Sequence, residues 1–423
     1  MQLKTLLLCI ILFSASTLYA YGQIITIDEC QDKAVANYPA IVRYDIIEKT
    51  KEFNIANASK AYLPQGTLSA QGTWQSDVTS IQLDMPGLQI PTIDQDQYRF
   101  VAELNQLIWD GGRVSAQKNS LEANAELEKR KLNNEIYTLR ARVNNLYFGI
   151  LLMREQLNQL GILEDELQRN YDNVQIYVQN GLANETDLNV VRVEQLKASQ
   201  QRVSIESNLE AYIQMLSVLI GEQLDSDIIF VKPDPESTLI LPVINRPEML
   251  MFEAQDNAIE SQKSLLNARV MPTIGAFAQG GYGKPGLNMF NNEFTPYFLG
   301  GVRLSWNFSN LYTLKNDRRK IDLQKSAINS QRETFLQNLN IVIPQQQIEI
   351  EKFRKTMQHD EEIISLQTQI RKTAEVKVEN GTMTVSDLIK EINAEEFAKQ
   401  AKVLHEIQFL MSVYSLKYTT NQN

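Results

Sequence analysis

Apolar residues step along much of this chain by fours and threes. Leu132, Ile136, Leu139, Val143, Leu146, Ile150, Met153, Leu157 and Leu160 do so without a break, the spacing of a heptad seam. Two hundred positions after Ile136 the seam reappears as Leu336, Leu339, Ile343, Gln346, Ile350, Phe353, Met357 and Asp360, with polar residues at two of its places. A helix from about Val114 to Gln179 is expected to be on the order of 100 Å long, too long for a compact globule. Pro344 falls inside the second such helix, where a kink is expected. Elsewhere the period changes to two. Leu68, Ala70, Gly72 and Trp74 alternate with Thr67, Ser69, Gln71 and Thr73. Tyr98, Phe100, Ala102 and Leu104 alternate with Arg99, Val101, Glu103 and Asn105. Ile274, Ala276, Ala278 and Tyr282 share one side, as do Phe298, Val302, Leu304, Trp306 and Phe308 opposite Arg303, Ser305 and Asn307. Such runs predict four strands with one apolar and one polar face, in hairpins over about 64–109 and 272–308. Val101 and Phe277 break the polar side.

The two helical regions each contain one reversal. Asn180-Gly181-Leu182-Ala183-Asn184-Glu185-Thr186-Asp187-Leu188 and Asn380-Gly381-Thr382-Met383-Thr384-Val385-Ser386-Asp387-Leu388 share Asn, Gly, Asp and Leu in one register. Asn-Gly stops a helix because glycine enters the left-handed region without a Cβ clash. Ser/Thr followed by Asp starts one, since a short oxygen side chain and a negative charge suit a helix N-terminus. Each stretch therefore predicts the tip of a helical hairpin, over about 112–220 with its tip at 180–188 and over about 311–418 with its tip at 380–388.

The chain thus reads as one unit written twice. Asn37-Tyr38-Pro39 aligns with Asn245-Arg246-Pro247, Pro64 with Pro272, and Ala70–Trp74 with Ala278–Tyr282, all at an offset of 208. From Asp110 and Asn310 onward the offset is 200, so the first copy has the longer loop between Trp74 and Asp110. The expected organisation is a first repeat over 23–221, a connector over 222–243 and a second repeat over 244–423, each repeat opening on a helix (Pro39–Ala61, Pro247–Arg269).

Composition narrows the function. The 423 residues carry a formal charge of −10 and no basic cluster with interleaved aromatics, which argues against nucleic acid. Lys4 before the apolar run Leu6–Phe13, then small residues and Ala20-Tyr21-Gly22, reads as a secretory signal peptide over 1–22. Cys30 is then the only cysteine left, so no internal disulfide is expected. His359 and His405 stand far apart with no carboxylate or cysteine at ligand spacing, and both are expected to be solvated or packed. Gly280-Gly281-Tyr282-Gly283-Lys284-Pro285 departs from a phosphate loop because proline follows the lysine. No catalytic, metal or cofactor constellation is found.

No later segment reads as a spanning helix, so entry into a membrane requires a β-barrel. Four strands cannot close one, since the smallest membrane barrels use about 8. Copies of the chain must complete it: two would give eight strands and a filled interior, three would give twelve and a lumen. Trp74, Tyr98, Tyr282 and Phe298 near one end of the strands, and Trp109, Trp306 and Phe308 near the other, suit the two aromatic girdles of such a barrel. The alternative is a secreted coiled-coil spacer or adhesin whose strands form a soluble sandwich.

Several of these stretches resemble the TolC-like outer-membrane efflux protein family. They are Ile27-Asp28-Glu29 with Ala34 and Asn37-Tyr38-Pro39; Leu104-Asn105-Gln106-Leu107-Ile108-Trp109-Asp110-Gly111-Gly112 at a strand-to-helix junction; and Asn180-Gly181-Leu182 with Thr186-Asp187, and Gly381 with Asp387, at the tips. The resemblance implies a mainly α protein with membrane β structure. Four strands per chain would join a twelve-stranded transmembrane barrel in a homotrimer, continued by a long periplasmic α-helical barrel. It implies an outer-membrane duct with no enzymatic activity, whose tips close it and meet a periplasmic adaptor protein linked to an inner-membrane pump. Residues 222–243 would join the halves at the tunnel's waist. Gly181 and Gly381 would make the tip turns, with Leu182 and Thr382 as adaptor contacts. Asp187 and Asp387 would be the gate, three Asp387 carboxylates on the axis attracting cations and raising one another's pKa. The chain departs from the family pattern at Met383 and Lys390, where a basic and an acidic residue are common.

Overall fold

The computed structural model describes residues 24–79, 93–181, 183–225, 228–234 and 244–421. The signal peptide expected over 1–22, Leu182, much of the loop between Trp74 and Asp110, and parts of the connector expected over 222–243 lie outside them. The fold is mostly helical with a few strands, in two compact units: residues 1–42, 133–247 and 334–423 form the first, and 43–132 and 248–333 the second.

In the first unit, β1 (Ile24–Ile25) pairs in parallel with β4 (Ile229–Phe230). Helix α1 (Ile27–Asn37) follows β1, started by a capping box in which Glu29 N–H donates to Thr26 Oγ1 at 3.3 Å and Thr26 N–H to the Glu29 carboxylate at 2.9 Å. The rest of this unit is two helical hairpins, apart from the starts of their first helices, which belong to the second unit. The first joins α3 (Arg113–Gln179) to α4 (Glu185–Ile220), and the second joins α6 (Asn310–Glu379) to α7 (Val385–Thr420). The heptad seam is inward: Leu132, Ile136, Leu139, Val143, Ile150 and Leu160 are all buried. The two polar places of the later seam find partners on α7. Gln346 donates to Ser415 Oγ at 2.8 Å, and buried Asp360 meets His405 Nδ1 at 2.9 Å. His405 is therefore ion-contacted, by a carboxylate on a facing helix that local spacing did not reveal. Helix α6 continues through Pro344 without interruption. One core of this unit surrounds Tyr147, whose hydroxyl lies 2.9 Å from Ile25 O and 2.7 Å from Val231 O, tying α3 to β1 and to the residue after β4.

The second unit holds helix α2 (Arg43–Ser59), most of α5 (Pro247–Arg269) and one antiparallel sheet in the order β2 (Gln65–Trp74), β3 (Asp96–Trp109), β5 (Thr273–Lys284), β6 (Thr295–Ser305). Its helices pack through small residues, with Leu127 against Ala254 and Ala258. Ion pairs flank them: Lys129–Glu48 at 2.5 Å, Lys325–Glu260 at 2.8 Å and Lys263–Asp322 at 3.0 Å. The sheet has no second sheet on either face among the described residues. Leu68 is 85 % exposed, and Phe298, Val302 and Leu304 are about as open. The sandwich of the spacer alternative is absent among the described residues.

Candidate functional site

Register sorts the strand residues into two faces. Paired residues Gly72, Tyr98 and Lys284, then Ala70, Phe100, Tyr282 and Pro296, then Leu68, Ala102, Gly280 and Phe298 lie on the apolar side. At one end of that side the Phe294 ring stacks on Tyr98 and Tyr282, with centroids 6.1 and 5.4 Å apart. At the other end a bulge between Leu107 and Trp109 sets Trp109 opposite Ile274. The extra residue re-aims the indole; without it the alternation would put Trp109 on the polar side. Strands β2 and β6 are the edges, each with one unpaired row of backbone groups.

The junction after β3 is fixed by Asp110, which is buried. Its carboxylate accepts from Gly112 N–H at 2.9 Å, Val114 N–H at 2.6 Å and the Tyr62 hydroxyl at 2.8 Å. These bonds satisfy backbone donors at the start of α3 that the helix itself leaves unpaired. Gly111 has φ +71°, and a Cβ there would stand 2.4 Å from Met271 Cβ. The Trp-Asp-Gly-Gly run is thus a helix cap combined with a close backbone approach.

Both tips turn at glycine. Gly181 has φ 73° and Gly381 φ 67°. At the second tip, Gly381 N–H donates to Val378 O at 2.9 Å and Thr382 N–H to Lys377 O at 2.9 Å, the paired bonds of a Schellman end. Thr382 adds its hydroxyl to Lys377 O at 3.0 Å. The helix starts differ from the sequence reading. The caps are Asn184 and Thr384, two places before Thr186 and Ser386. The reason is reach: an N-cap oxygen bonds the N–H three residues on, and that residue is the aspartate in both tips. Asp187 N–H donates to Asn184 Oδ1 at 3.1 Å, and Asn184 N–H donates to the Asp187 carboxylate at 3.1 Å. Asp387 accepts from the Thr384 hydroxyl at 2.7 Å and pairs with Lys390 at 2.8 Å. Lys390 and then Thr384 hold the Asp387 carboxyl below its ordinary pKa. Within one chain this is opposite to the upward shift expected of crowded carboxylates. Met383, at the departing position, is partly buried against the apolar core behind the tips.

An ionic cluster that sequence reading missed lies behind the tips. Arg371 on α6 is ten residues, about 15 Å, before Gly381. It contacts Glu166 of α3 at 2.9 Å, Glu375 at 2.5 Å, and Glu395 of α7. Lys399 and Thr368 also reach Glu395, each at 2.8 Å. Glu395 and Glu166 are buried. Burial opposes ionisation of Glu395, but hydrogen bonds from Lys399, Thr368 and Arg371 outweigh it and lower its pKa. Burial pushes Glu166 up despite Arg371, and it pushes up the neighbouring Glu396. Arg371 thus bridges the two hairpins. No spacing in the sequence joins Glu166 to partners some two hundred residues away.

A sheet with an uncovered apolar face and long helical hairpins is a fold shared with known outer-membrane channels. The outer-membrane channel OprN superposes with a TM-score of 0.70 at 12 % identity, over 97 % of this chain and 95 % of its own. The Campylobacter jejuni channel CmeC gives 0.66 at 13 %, over 93 % and 85 %. The open state of the Neisseria gonorrhoeae channel MtrE gives 0.65 at 14 %, over 93 % and 88 %. In sequence, residues 32–222 match the family described as outer membrane efflux protein. This is the family that the junction and tip residues resemble. No curated relative matches the sequence significantly.

Proposed function

We propose that three copies of this chain form a passive efflux duct, with twelve strands in the outer membrane and the helical hairpins reaching into the periplasm. The observation that carries the reading is the four-stranded sheet, apolar on one exposed face and polar on the other, with both edges open. Open edges in lipid leave backbone groups unpaired, and neighbouring copies remove them. No described helix is long and apolar enough to span a membrane, so the strands carry the insertion. Among the described residues no His, Cys, Asp and Glu group suits a metal ion. The energy for transport is assigned to a pump in the inner membrane, reached through a periplasmic adaptor that docks on the tips around Gly181, Leu182, Gly381 and Thr382.

The tips are the gate in this reading. Asp187 and Asp387, three places after the caps Asn184 and Thr384, face the aperture, and the hairpins rearrange when the adaptor binds. Fractionation tests the reading: the chain floats with outer membranes, runs as a heat-modifiable oligomer and conducts in planar bilayers. A monomer released in soluble form without detergent would refute it. Gly181→Pro and Gly381→Pro should abolish export but leave insertion intact, because proline is locked near φ −65°. Asp387→Asn should lower cation preference in bilayer recordings; identical selectivity would leave Asp387 only as a partner of the Thr384 cap.

A further inference from the structure

The polar face of the sheet carries an uneven charge. Its paired rows include Gln71, Arg99 and Gly283; Thr67, Glu103, Gln279 and Leu299; and Leu107, Gly275 and Arg303. Arg99, Glu103 and Arg303 are the charged strand residues on this face. Asp96 and Lys284 fall in the rows of Trp74 and Tyr98 on the other side, and Lys284 is paired with Asp94 at 2.6 Å. Glu103 accepts from Asn105 at 2.9 Å. Each arginine lies four residues along the strand direction from the Glu103 row, or about 13 Å. That exceeds the Debye length of about 8–10 Å in ordinary salt, so Glu103 leaves both cations largely uncancelled.

Arg303 is also held in place. Its guanidinium lies over the Phe277 ring, 4.7 Å from the centroid. Phe277 in turn covers Gly301, where a Cβ would sit 3.3 Å from the ring. Tyr297 fills the corresponding space over Gly281. Phe277 broke the alternation in the sequence, and this is its place: a ring packed against a bare glycine backbone with an arginine on top. A cation on a ring face is favourably placed and still offers its edge to solvent.

We propose that Arg303, seated on Phe277, and Arg99 are specificity-determining residues that make both ends of the strand-built lumen electropositive and favour anionic solutes there. The inference rests on the duct reading, in which the polar face lines the lumen. It is independent of the acids at the tips.

Planar-bilayer recordings of the full-length protein in a KCl gradient test it. Arg303→Gln and Arg99→Gln should each shift the potassium-to-chloride permeability ratio roughly two- to threefold toward potassium at 0.1 M salt, as expected for three charges lost at lumen distances in screened water. Glu103→Gln should shift it toward chloride, Arg303→Lys should leave it unchanged, and all shifts should shrink at 1 M salt. A conducting protein whose ratio does not respond to either arginine variant overturns the proposal and leaves the duct intact. A wild-type chain that forms no pore overturns both.

Discussion

Replacing Arg371 with methionine removes a cation that touches both hairpins. Glu166, Glu375 and Glu395 lose it together. The side chains of Arg371, Glu166 and Glu395 are 14 %, 10 % and 4 % exposed, so solvent does little to replace the contact. Breaking a buried ion pair from one side costs about 3–5 kcal/mol, because a charge is left uncompensated. Two features place this site at the low end. Glu395 keeps Lys399 and Thr368, and Glu166, already pushed up by burial, takes a proton more readily than an ordinary glutamate. A cost of about 3 kcal/mol is roughly a hundredfold rise in the population of opened states. Backbone hydrogen exchange reads that population by segment. In detergent-purified protein, Arg371→Met should exchange roughly a hundredfold faster across residues 365–400 and around Glu166, with the core at Tyr147 unaffected. Adding Glu166→Gln should recover part of the loss, since the stranded charge is then gone. Unchanged exchange in the single variant would show that the cluster does not tie the hairpins together.

The same cluster should respond to pH in two opposed stages. Glu166 and Glu396 have folded pKa values above the ordinary carboxylate value, so their ionisation disfavours the fold and mild acidification should slow exchange at the tips. Glu395 is held below its ordinary value, so its contribution is lost as pH falls through its folded pKa, and exchange should speed up again under strong acid; a monotonic profile would contradict the assignment. Gly381→Ala meets no atom within 4 Å, so only backbone strain of about 1–2 kcal/mol should appear in thermal melts. Gly111→Ala adds a 2.4 Å approach to Met271 and should cost clearly more, seen as loss of the heat-modifiable oligomer. Asp110→Ala removes an acceptor serving two N–H groups and a hydroxyl and should cost about 2–3 kcal/mol, checked by hydrogen exchange at the start of α3.

The strands and the inward seam were legible because their signals are local: a period of two, or steps of four and three, within a single element. The turns at Gly181 and Gly381 were legible because the αL conformation selects glycine. Three features were hidden for one shared reason, that they join residues distant in the chain. Arg371 meets Glu166 across two hairpins, His405 meets Asp360 from a facing helix, and Phe277 is explained only by Gly301 on the next strand. The misplaced caps have a different origin. Both Asn184 and Thr186 are good caps by type, as are Thr384 and Ser386, and only the acid three places on distinguishes them.

The two units solve opposite solvation problems with the same residue types. In the sheet, leucine, valine and phenylalanine stand outside on an uncovered face, an arrangement that water would penalise at about 25 cal/mol per Å². In the helical hairpins, carboxylates and an arginine sit inside, where burial is tolerable only because each charge finds an opposite one. An exposed apolar sheet face in one unit and buried charges inside the hairpins of the other fit a chain whose parts face different solvents. The charge on the polar side of the sheet belongs to the same logic. Arg99, Glu103 and Arg303 lie on a face that must stay hydrated while its reverse does not, and register alone separates the two. A one-residue slip of β6 would put Arg303 among the apolar residues. The Phe277–Gly301 pair is packed in the register that keeps it out, so the arginine proposed to set the charge of a lumen and the contact that fixes its strand are found at one place.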